Sequence, residues 1–188
     1  MTATYKLAFI GEPGAGKTTC IAAVSDIPPL STDVECTDDL ARLKQTTTVA
    51  LDYGELGLDD QSRLLLYGLP GQARFRFMFD VVREGLLGVA VLVDAATPGG
   101  LQGLRETLAT YASELRHLPC VVSLNKIETA SPALLKDCEV LLREHDVVAP
   151  IIAVDARRRE DVVRIFELLF MMLELGTHSP TQEHPTWQ

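Results

Sequence analysis

The chain has 188 residues, of which 47% are hydrophobic, enough for one domain with a sizeable core. A net charge of -9 argues against a general nucleic-acid binder, because phosphate contacts need clustered Lys and Arg. The four cysteines lie far apart without a CxxC pair, which favours free thiols in a reducing cytosol. No apolar run approaches the ~18 residues of a membrane span, and no leader or lipidation motif is evident. We therefore expect a cytoplasmic protein with no integral membrane segment.

Apolar runs and alternating segments predict six strands, at residues 5–11, 49–56, 62–69, 88–95, 119–125 and 150–156. Helical spacing predicts helices at residues 16–25, 101–116, 132–145 and 159–175. The second and third strands flank Asp59–Asp60 and are expected to form an antiparallel hairpin. Strands alternating with helices predict an α/β fold, with a six-stranded, mostly parallel sheet and one antiparallel edge strand.

Domain organisation is simple in this pattern. We expect one domain over residues 1–176. The polar, proline-containing residues 177–188 are expected to form a disordered tail.

The strongest motif is GEPGAGKTT, which fits the phosphate-loop pattern G-x-x-x-x-G-K-[ST] between a predicted strand and a predicted helix. Its glycines let backbone N–H groups point at phosphate oxygens, and the helix N-terminus adds positive charge. Lys17 is expected to reach the β- and γ-phosphates, and the Thr18 hydroxyl to ligate Mg²⁺. The predicted phosphate-binding residues are Gly11, Glu12, Pro13, Gly14, Ala15, Gly16, Lys17, Thr18 and Thr19.

Two further segments resemble the switch segments of Ras-like GTPases. In KQTTTVALDYG, Thr48 aligns with the threonine that senses the γ-phosphate and binds Mg²⁺. LPGQARF is similar to the family's Thr-Ala-Gly-Gln-Glu-Arg-Phe stretch. This resemblance implies that the Gly71 N–H meets the γ-phosphate and that Gln72 orients the attacking water. With Lys17, these two residues are the predicted catalytic set.

Two later segments resemble the base-binding segments of the same family. SLNKIE stands where the family has Asn-Lys-x-Asp, which implies that Asn125 ties the two loops together and that the Lys126 stem packs along the base. Glu128 would accept the two guanine donors. VDAR matches the last base-binding segment of the family, which implies that a backbone N–H near Ala156 meets the guanine carbonyl. Asp155, Ala156 and Arg157 are therefore predicted nucleotide-binding residues.

Within the family, the chain most resembles bacterial MglA-like GTPases and the GTPase subunits of actinobacterial conservons. The resemblance rests on SDIPPL, TTTVALDYG, LYGLPGQARF and VDARRRE. It implies a P-loop NTPase with the Ras-like three-layer sandwich, GTP or GDP with Mg²⁺ as ligands, and a roadblock/LC7-type partner.

The chain departs from the Ras pattern at Gly68, where an aspartate usually holds a magnesium-bound water. The MglA-like and conservon proteins also tend to lack that aspartate. Asp52 is a candidate replacement through water, if it lies opposite Gly68 on the neighbouring strand. A two-residue turn leaves open whether residue 67 or 68 is opposite, and that choice decides which face Asp52 occupies. The alternative is a polar edge residue.

Other departures leave alternatives open. Glu128 replaces the family's aspartate, and its longer side chain displaces the two carboxylate oxygens that accept from guanine. We therefore expect guanine to stay favoured, but by a smaller margin in affinity. The acidic loop before Arg42 is either a solvated loop or a surface for a basic partner. Arg42 and Lys44 are candidates for an arginine-finger role, without which hydrolysis is slow unless a partner assists. FRFMF at residues 75–79 is either core or an apolar docking face.

The sequence thus predicts a GTPase switch that binds GTP and GDP with Mg²⁺, hydrolyses GTP slowly, and meets an unknown effector at its switch segments. The alternative is a guanine-nucleotide scaffold with little turnover, motivated by Gly68 and Glu128. A small-molecule kinase is disfavoured, because it leaves Thr48 and the Pro-Gly-Gln segment unexplained.

Overall fold

The computed structural model describes residues 3–34, 49–59 and 61–177. The strands are β1 (Ala3–Gly11), β2 (Leu30–Val34), β3 (Val49–Asp59), β4 (Ser62–Pro70), β5 (Leu86–Asp94), β6 (Cys120–Asn125) and β7 (Ile151–Val154). The helices are α1 (Lys17–Val24), α2 (Phe77–Val82), α3 (Gly100–Leu115), α4 (Pro132–Glu144) and α5 (Arg159–Thr177), with a 3-10 turn at Ala73–Phe75. None of the helices in these ranges is long and apolar enough to cross a bilayer.

One sheet holds the strands in the order β2-β3-β4-β1-β5-β6-β7. The pairs β4–β1, β1–β5, β5–β6 and β6–β7 are parallel, whereas β2–β3 and β3–β4 are antiparallel. The predicted α/β class is confirmed. The described sheet has one strand more than the six expected, because Leu30–Val34 pairs with β3 and supplies the antiparallel edge. Its sequence, LSTDV, gave no apolar run to indicate a strand.

The hairpin of β3 and β4 forms as predicted. Asp59 accepts hydrogen bonds from the Gln61 N–H at 2.7 Å and the Ser62 hydroxyl at 2.9 Å, which closes the turn. The predicted turn residue Asp60 lies outside the described residues. A bulge between Gly57 and Asp59 shifts the register by one residue and sets Asp52 opposite Gly68.

The core lies on both faces of the sheet. Successive residues of β1 point to opposite faces: Ala8 and Ile10 pack towards α3 and α4, whereas Leu7 and Phe9 pack towards α1 and α5. The predicted core-facing stripe of the last helix is buried at Val162, Phe166 and Leu169. This arrangement gives the three layers.

The FRFMF segment belongs to the core. Met78 and Phe79 are buried, and Phe75 and Phe77 are partly buried and pack against the same cluster. The structure therefore favours the core alternative over an apolar docking face.

The described cysteines are Cys20, Cys120 and Cys138, all buried and free, which confirms the free-thiol prediction for these three. Cys36 lies outside the described residues, as does the part of the predicted tail from residue 178. Thr177, which the sequence assigned to the tail, is the last residue of α5, so the prediction was wrong at this position because the helix continues one residue further.

The parallel strands bring four loops to one edge of the sheet. The phosphate loop follows β1, Pro-Gly-Gln ends β4, and the predicted base-binding segments follow β6 and β7. In open α/β sheets, ligands bind in the crevice outside the carboxyl ends of the strands. The fold therefore gathers all four motifs at such a crevice.

Candidate nucleotide-binding site

The phosphate loop turns tightly from β1 into α1. Gly14 and Gly16 have φ angles of 80° and 111°, a region that favours glycine. At Gly16 a side chain is also sterically excluded, because a Cβ there would lie 2.3 Å from Asn125 Nδ2. The loop can therefore curl against the segment after β6.

Lys17 lies across this loop at the start of α1. Its Nζ donates to the carbonyl oxygens of Gly11, at 2.8 Å, and Glu12, at 2.9 Å. Burial lowers the pKa of Lys17, while the charges of Asp52 and Glu12 act in the opposite direction. The ammonium is thus held inside the loop where a phosphate group would need a cation.

Thr18 and Asp52 meet at the N-terminus of α1. The Thr18 hydroxyl donates to Asp52 Oδ2 at 2.5 Å. Hydroxyl and carboxylate oxygens are hard donors, and Mg²⁺ in nucleotide sites takes one or two protein carboxylates together with phosphates and water. The pair therefore fits a magnesium ion.

The Pro-Gly-Gln segment contacts the phosphate loop through two residues. The Gly71 N–H donates to the Gly11 carbonyl at 3.0 Å. Gln72 Nε2 donates to Glu12 Oε2 at 3.3 Å, and Gln72 Oε1 accepts from Arg74 Nε at 3.1 Å. The other oxygen, Glu12 Oε1, is buried and has no hydrogen-bond partner among the described residues. Both polar groups of the Gln72 amide are therefore engaged, one of them by the phosphate loop itself.

Asn125 joins the segment after β6 to two other loops. It is buried; its Nδ2 donates to the Ala15 carbonyl at 2.8 Å, and its Oδ1 accepts from the Ala156 N–H at 3.0 Å. One amide side chain thus fixes the phosphate loop and the loop after β7 at the same time.

A cavity of about 1010 Å³ opens beside Asn125. Residues from all three loops line it, among them Gly16, Thr19, Lys126, Glu128, Ala156 and Arg157. Glu128 is exposed in the cavity. The predicted base-binding residues therefore share one cavity with the phosphate loop.

Charged pairs shape the walls of this cavity. Lys126, whose φ of 68° is unusual for a non-glycine residue, donates through Nζ to Asp94 Oδ2 at 2.6 Å. Arg157 donates to both carboxylate oxygens of Asp155, which lowers the pKa of Asp155 to about 2. Asp155 is therefore ionised throughout the neutral range.

Comparisons with known proteins place this architecture. The family described as "Conserved hypothetical ATP binding protein" matches residues 32–178, most of the chain, beginning after the phosphate loop. The chain belongs to this ATP-binding family.

Two relatives match over part of their own length. "GTPase Obg" of Deinococcus radiodurans is 26% identical over 174 residues, which are 88% of this chain and 38% of that protein. "Uncharacterized protein MJ1339" of Methanocaldococcus jannaschii is 29% identical over 92 residues, 48% of this chain and 51% of that protein. The chain thus spans only 38% and 51% of these relatives.

Two solved structures resemble this member of the ATP-binding family. The Arl6 BBS3 small GTPase from Trypanosoma brucei, bound to GppNp, has a TM-score of 0.65, 16% identity, and coverage of 92% of this chain and 99% of that one. The ADP-ribosylation-factor-like protein, small COPII coat GTPase SAR1, from Encephalitozoon cuniculi with GDP has a TM-score of 0.61, 21% identity, and coverage of 94% and 83%. The predicted Ras-like P-loop fold is confirmed.

In this family member, some predicted site residues lie outside the described residues. They are Thr48, Arg42 and Lys44, together with the acidic residues Glu35, Asp38 and Asp39. Of Asp33, only the backbone is described.

Sequence reasoning missed three contacts of the site. These are the hydrogen bond of Gln72 to Glu12, that of Lys126 to Asp94, and that of the Tyr111 hydroxyl to the Pro70 carbonyl at 2.9 Å. Tyr111 is fully buried on α3 and was indistinguishable in the sequence from any other core position of that helix.

Proposed function

We propose that this protein is a guanine-nucleotide switch that binds GTP and GDP with Mg²⁺ and hydrolyses GTP slowly. The observation that carries the proposal is the meeting of Gly71 and Gln72 with the phosphate loop at Gly11 and Glu12. A simple nucleotide-binding loop needs no such contact. A switch needs one, because its second segment must respond to the phosphate beside that loop.

The choice of guanine rests on Glu128 and Asn125. Glu128 lines the cavity, and its carboxylate can accept both N1–H and N2–H of guanine, whereas adenine offers a carboxylate the wrong pattern. Asn125 accepts the Ala156 N–H and thereby fixes the loop after β7 beside this cavity. The similar proteins GTPase Obg, Arl6 and SAR1 are named as GTPases, which supports guanine, whereas the matching family is named for ATP.

In the proposed reaction a water attacks the γ-phosphate in line with the leaving oxygen. Lys17 exchanges its two carbonyl acceptors for β- and γ-phosphate oxygens, and the loop N–H groups stabilise the charge that develops. The Gly71 N–H meets a γ-oxygen, and Gln72 orients the water through its amide. Thr18 and Thr48 would hold Mg²⁺, with Asp52 acting through a water, and the bound ion would supply positive charge that offsets the charge of the phosphate oxygens.

The proposal extends to partners and organisation. The sequence resemblance of SDIPPL, TTTVALDYG, LYGLPGQARF and VDARRRE to MglA-like and conservon GTPases supports a roadblock/LC7-type partner and an effector at the switch segments. Slow unassisted hydrolysis follows if neither Arg42 nor Lys44 serves as an arginine finger. We place the GTPase domain at residues 1–176 and propose that it acts in the cytoplasm.

The first test is to identify the co-purifying nucleotide by mass, for the wild type and for Gln72→Leu. We expect guanine nucleotide, mostly GDP in the wild type, with a shift towards GTP in the variant because the water is no longer oriented. Adenine nucleotide in both proteins would overturn the proposed base.

The second test is single-turnover GTP hydrolysis with and without a roadblock-type protein. Slow turnover that the partner accelerates is the expected result. Binding without turnover in either case would instead favour the scaffold alternative.

A further inference from the structure

One face of α3 lies against the phosphate loop and the Pro-Gly-Gln segment. Gly103, Thr107 and Tyr111 are spaced four residues apart and therefore lie one above another on that face. All three are buried. A Cβ at Gly103 would lie 2.5 Å from Glu12 Cγ, so the missing side chain makes room for Glu12.

Tyr111 fixes one end of a single peptide group. Its hydroxyl donates to the Pro70 carbonyl at 2.9 Å, and the Gly71 N–H donates to the Gly11 carbonyl at 3.0 Å. The Pro70 carbonyl and the Gly71 N–H belong to the same planar peptide group and point in opposite directions. Turning the N–H away from Gly11 therefore also turns the carbonyl away from Tyr111.

Thr107 has the opposite character. Its hydroxyl lies directly against Gly71, because a Cβ on that residue would be only 2.3 Å from Thr107 Oγ1. This hydroxyl is buried and has no hydrogen-bond partner among the described residues. A buried hydroxyl left unpaired is unfavourable, so a partner is expected in some other conformation of its surroundings.

We propose that Tyr111 and Thr107 form a two-position latch for the Pro70–Gly71 peptide. Tyr111 stabilises the position in which the Gly71 N–H faces Gly11. Thr107 donates to the Pro70 carbonyl in a second position, in which the Gly71 N–H faces the γ-phosphate. The inference rests on the proposed function, because only a nucleotide switch uses the second position. Both are positioning residues that act through Gly71.

The test uses two nearly isosteric variants with opposite expected effects. Tyr111→Phe removes the hydroxyl but keeps the ring that packs on Phe79 at a centroid distance of 5.5 Å. Thr107→Val replaces the hydroxyl with a methyl group. For each variant, affinities for GDP and GppNp are measured by competition. A melting curve of each variant verifies folding.

We expect Tyr111→Phe to raise the affinity for GppNp relative to GDP by about fivefold, the effect of one hydrogen bond. We expect Thr107→Val to lower the same ratio by about fivefold. Tyr53→Phe is the matched control, because it also removes a tyrosine hydroxyl, one that donates to Glu55 on β3. Its ratio should equal that of the wild type.

These measurements test the Tyr111–Thr107 latch separately from the proposed function. Tight nucleotide binding with unchanged ratios, or with both variants shifted in the same direction, would overturn the latch and leave the proposed function standing. A wild-type protein that binds neither GDP nor GppNp would overturn the proposed function and the latch together.

Discussion

The carboxylate of Asp52 occupies the space beside Gly68 on the neighbouring strand. The two residues are directly paired in the hairpin, and a Cβ at position 68 would lie 2.9 Å from both Asp52 Cβ and Asp52 Oδ2. The same carboxylate accepts the Thr18 hydroxyl at 2.5 Å. Gly68 stands where the Ras pattern has an aspartate. In this chain the carboxylate of Asp52, on the neighbouring strand β3, lies beside that position and reaches α1.

This geometry predicts that Asp52→Ala weakens Mg²⁺-dependent nucleotide binding. Groups that hold metal-bound waters typically contribute about 10–100-fold to metal affinity, and we expect a loss in this range. The measurement is a Mg²⁺ titration of nucleotide release. Asp137→Ala, which removes an exposed carboxylate on α4, is the matched control and should leave the titration unchanged. A wild-type titration curve for Asp52→Ala would exclude Asp52 from the metal site.

The pairing also predicts that Gly68→Asp is destabilising by itself. The new side chain must displace Asp52 and would bring two carboxylates together, at a cost of about 1–3 kcal/mol. Asp52→Gly in the same chain should recover most of this loss, because it moves the carboxylate back to β4. Chemical denaturation of the two single variants and the double variant measures the coupling. If the two single substitutions change the unfolding free energy by amounts that simply add up in the double variant, the close contact between positions 52 and 68 is contradicted.

Glu12 predicts a separate effect on the rate of hydrolysis. Its Oε2 holds Gln72 Nε2, which fixes the amide and leaves Gln72 Oε1 to accept a hydrogen from water once Arg74 withdraws. Glu12→Ala should therefore slow single-turnover GTP hydrolysis about tenfold, because a mobile amide orients the water poorly. GDP affinity, measured in parallel, shows separately any effect of the lost Glu12 charge on Lys17.

Arg74→Ala is the matched control for Glu12, since it breaks the other contact of the Gln72 amide. It frees Oε1 and should not slow the reaction. Equal slowing by the two variants would show that general disorder of Gln72, and not its contact with Glu12, sets the rate.

Asn125→Ala should lower both stability and nucleotide affinity. The change leaves the Ala15 carbonyl and the Ala156 N–H without their buried partner, at a cost of about 2–4 kcal/mol. Ser123→Ala is a control on the same strand, because Ser123 Oγ is buried without a hydrogen-bond partner in the described part of the chain. Its removal should be nearly neutral. Denaturant unfolding compares the two, and equal losses would refute the special role of Asn125.

The sequence and the structure agree where the physical signal is local. Apolar runs predicted six strands, and the phosphate-loop motif predicted the turn from β1 into α1. The strand LSTDV was missed because pairing with β3, not its own pattern, makes it a strand. Asp52 pairs with Gly68 because of the bulge after Gly57, and no residue in the sequence indicates that bulge. Tyr111 and Pro70 are 41 residues apart, so only the folded chain brings them together.

The thiol of Cys120 predicts a pH dependence of stability. Burial raises its pKa from the ordinary 9.0 to about 12. Between these values the unfolded chain releases the proton and the folded chain keeps it, so the folded state binds more protons and stability falls as pH rises above about 9. The same direction holds for Cys20, whereas the lowered pKa of Lys17 acts oppositely.

A variant isolates the contribution of Cys120 from these other groups. Unfolding free energies of the wild type and Cys120→Ala are measured in urea from pH 8 to 11. The variant loses some packing at every pH, but its stability should fall less steeply above pH 9, by up to about 1.4 kcal/mol per pH unit for one proton. Parallel pH profiles would contradict this prediction, because they would mean that the thiol ionises as easily in the folded chain, where Cys120 is buried, as in the unfolded one.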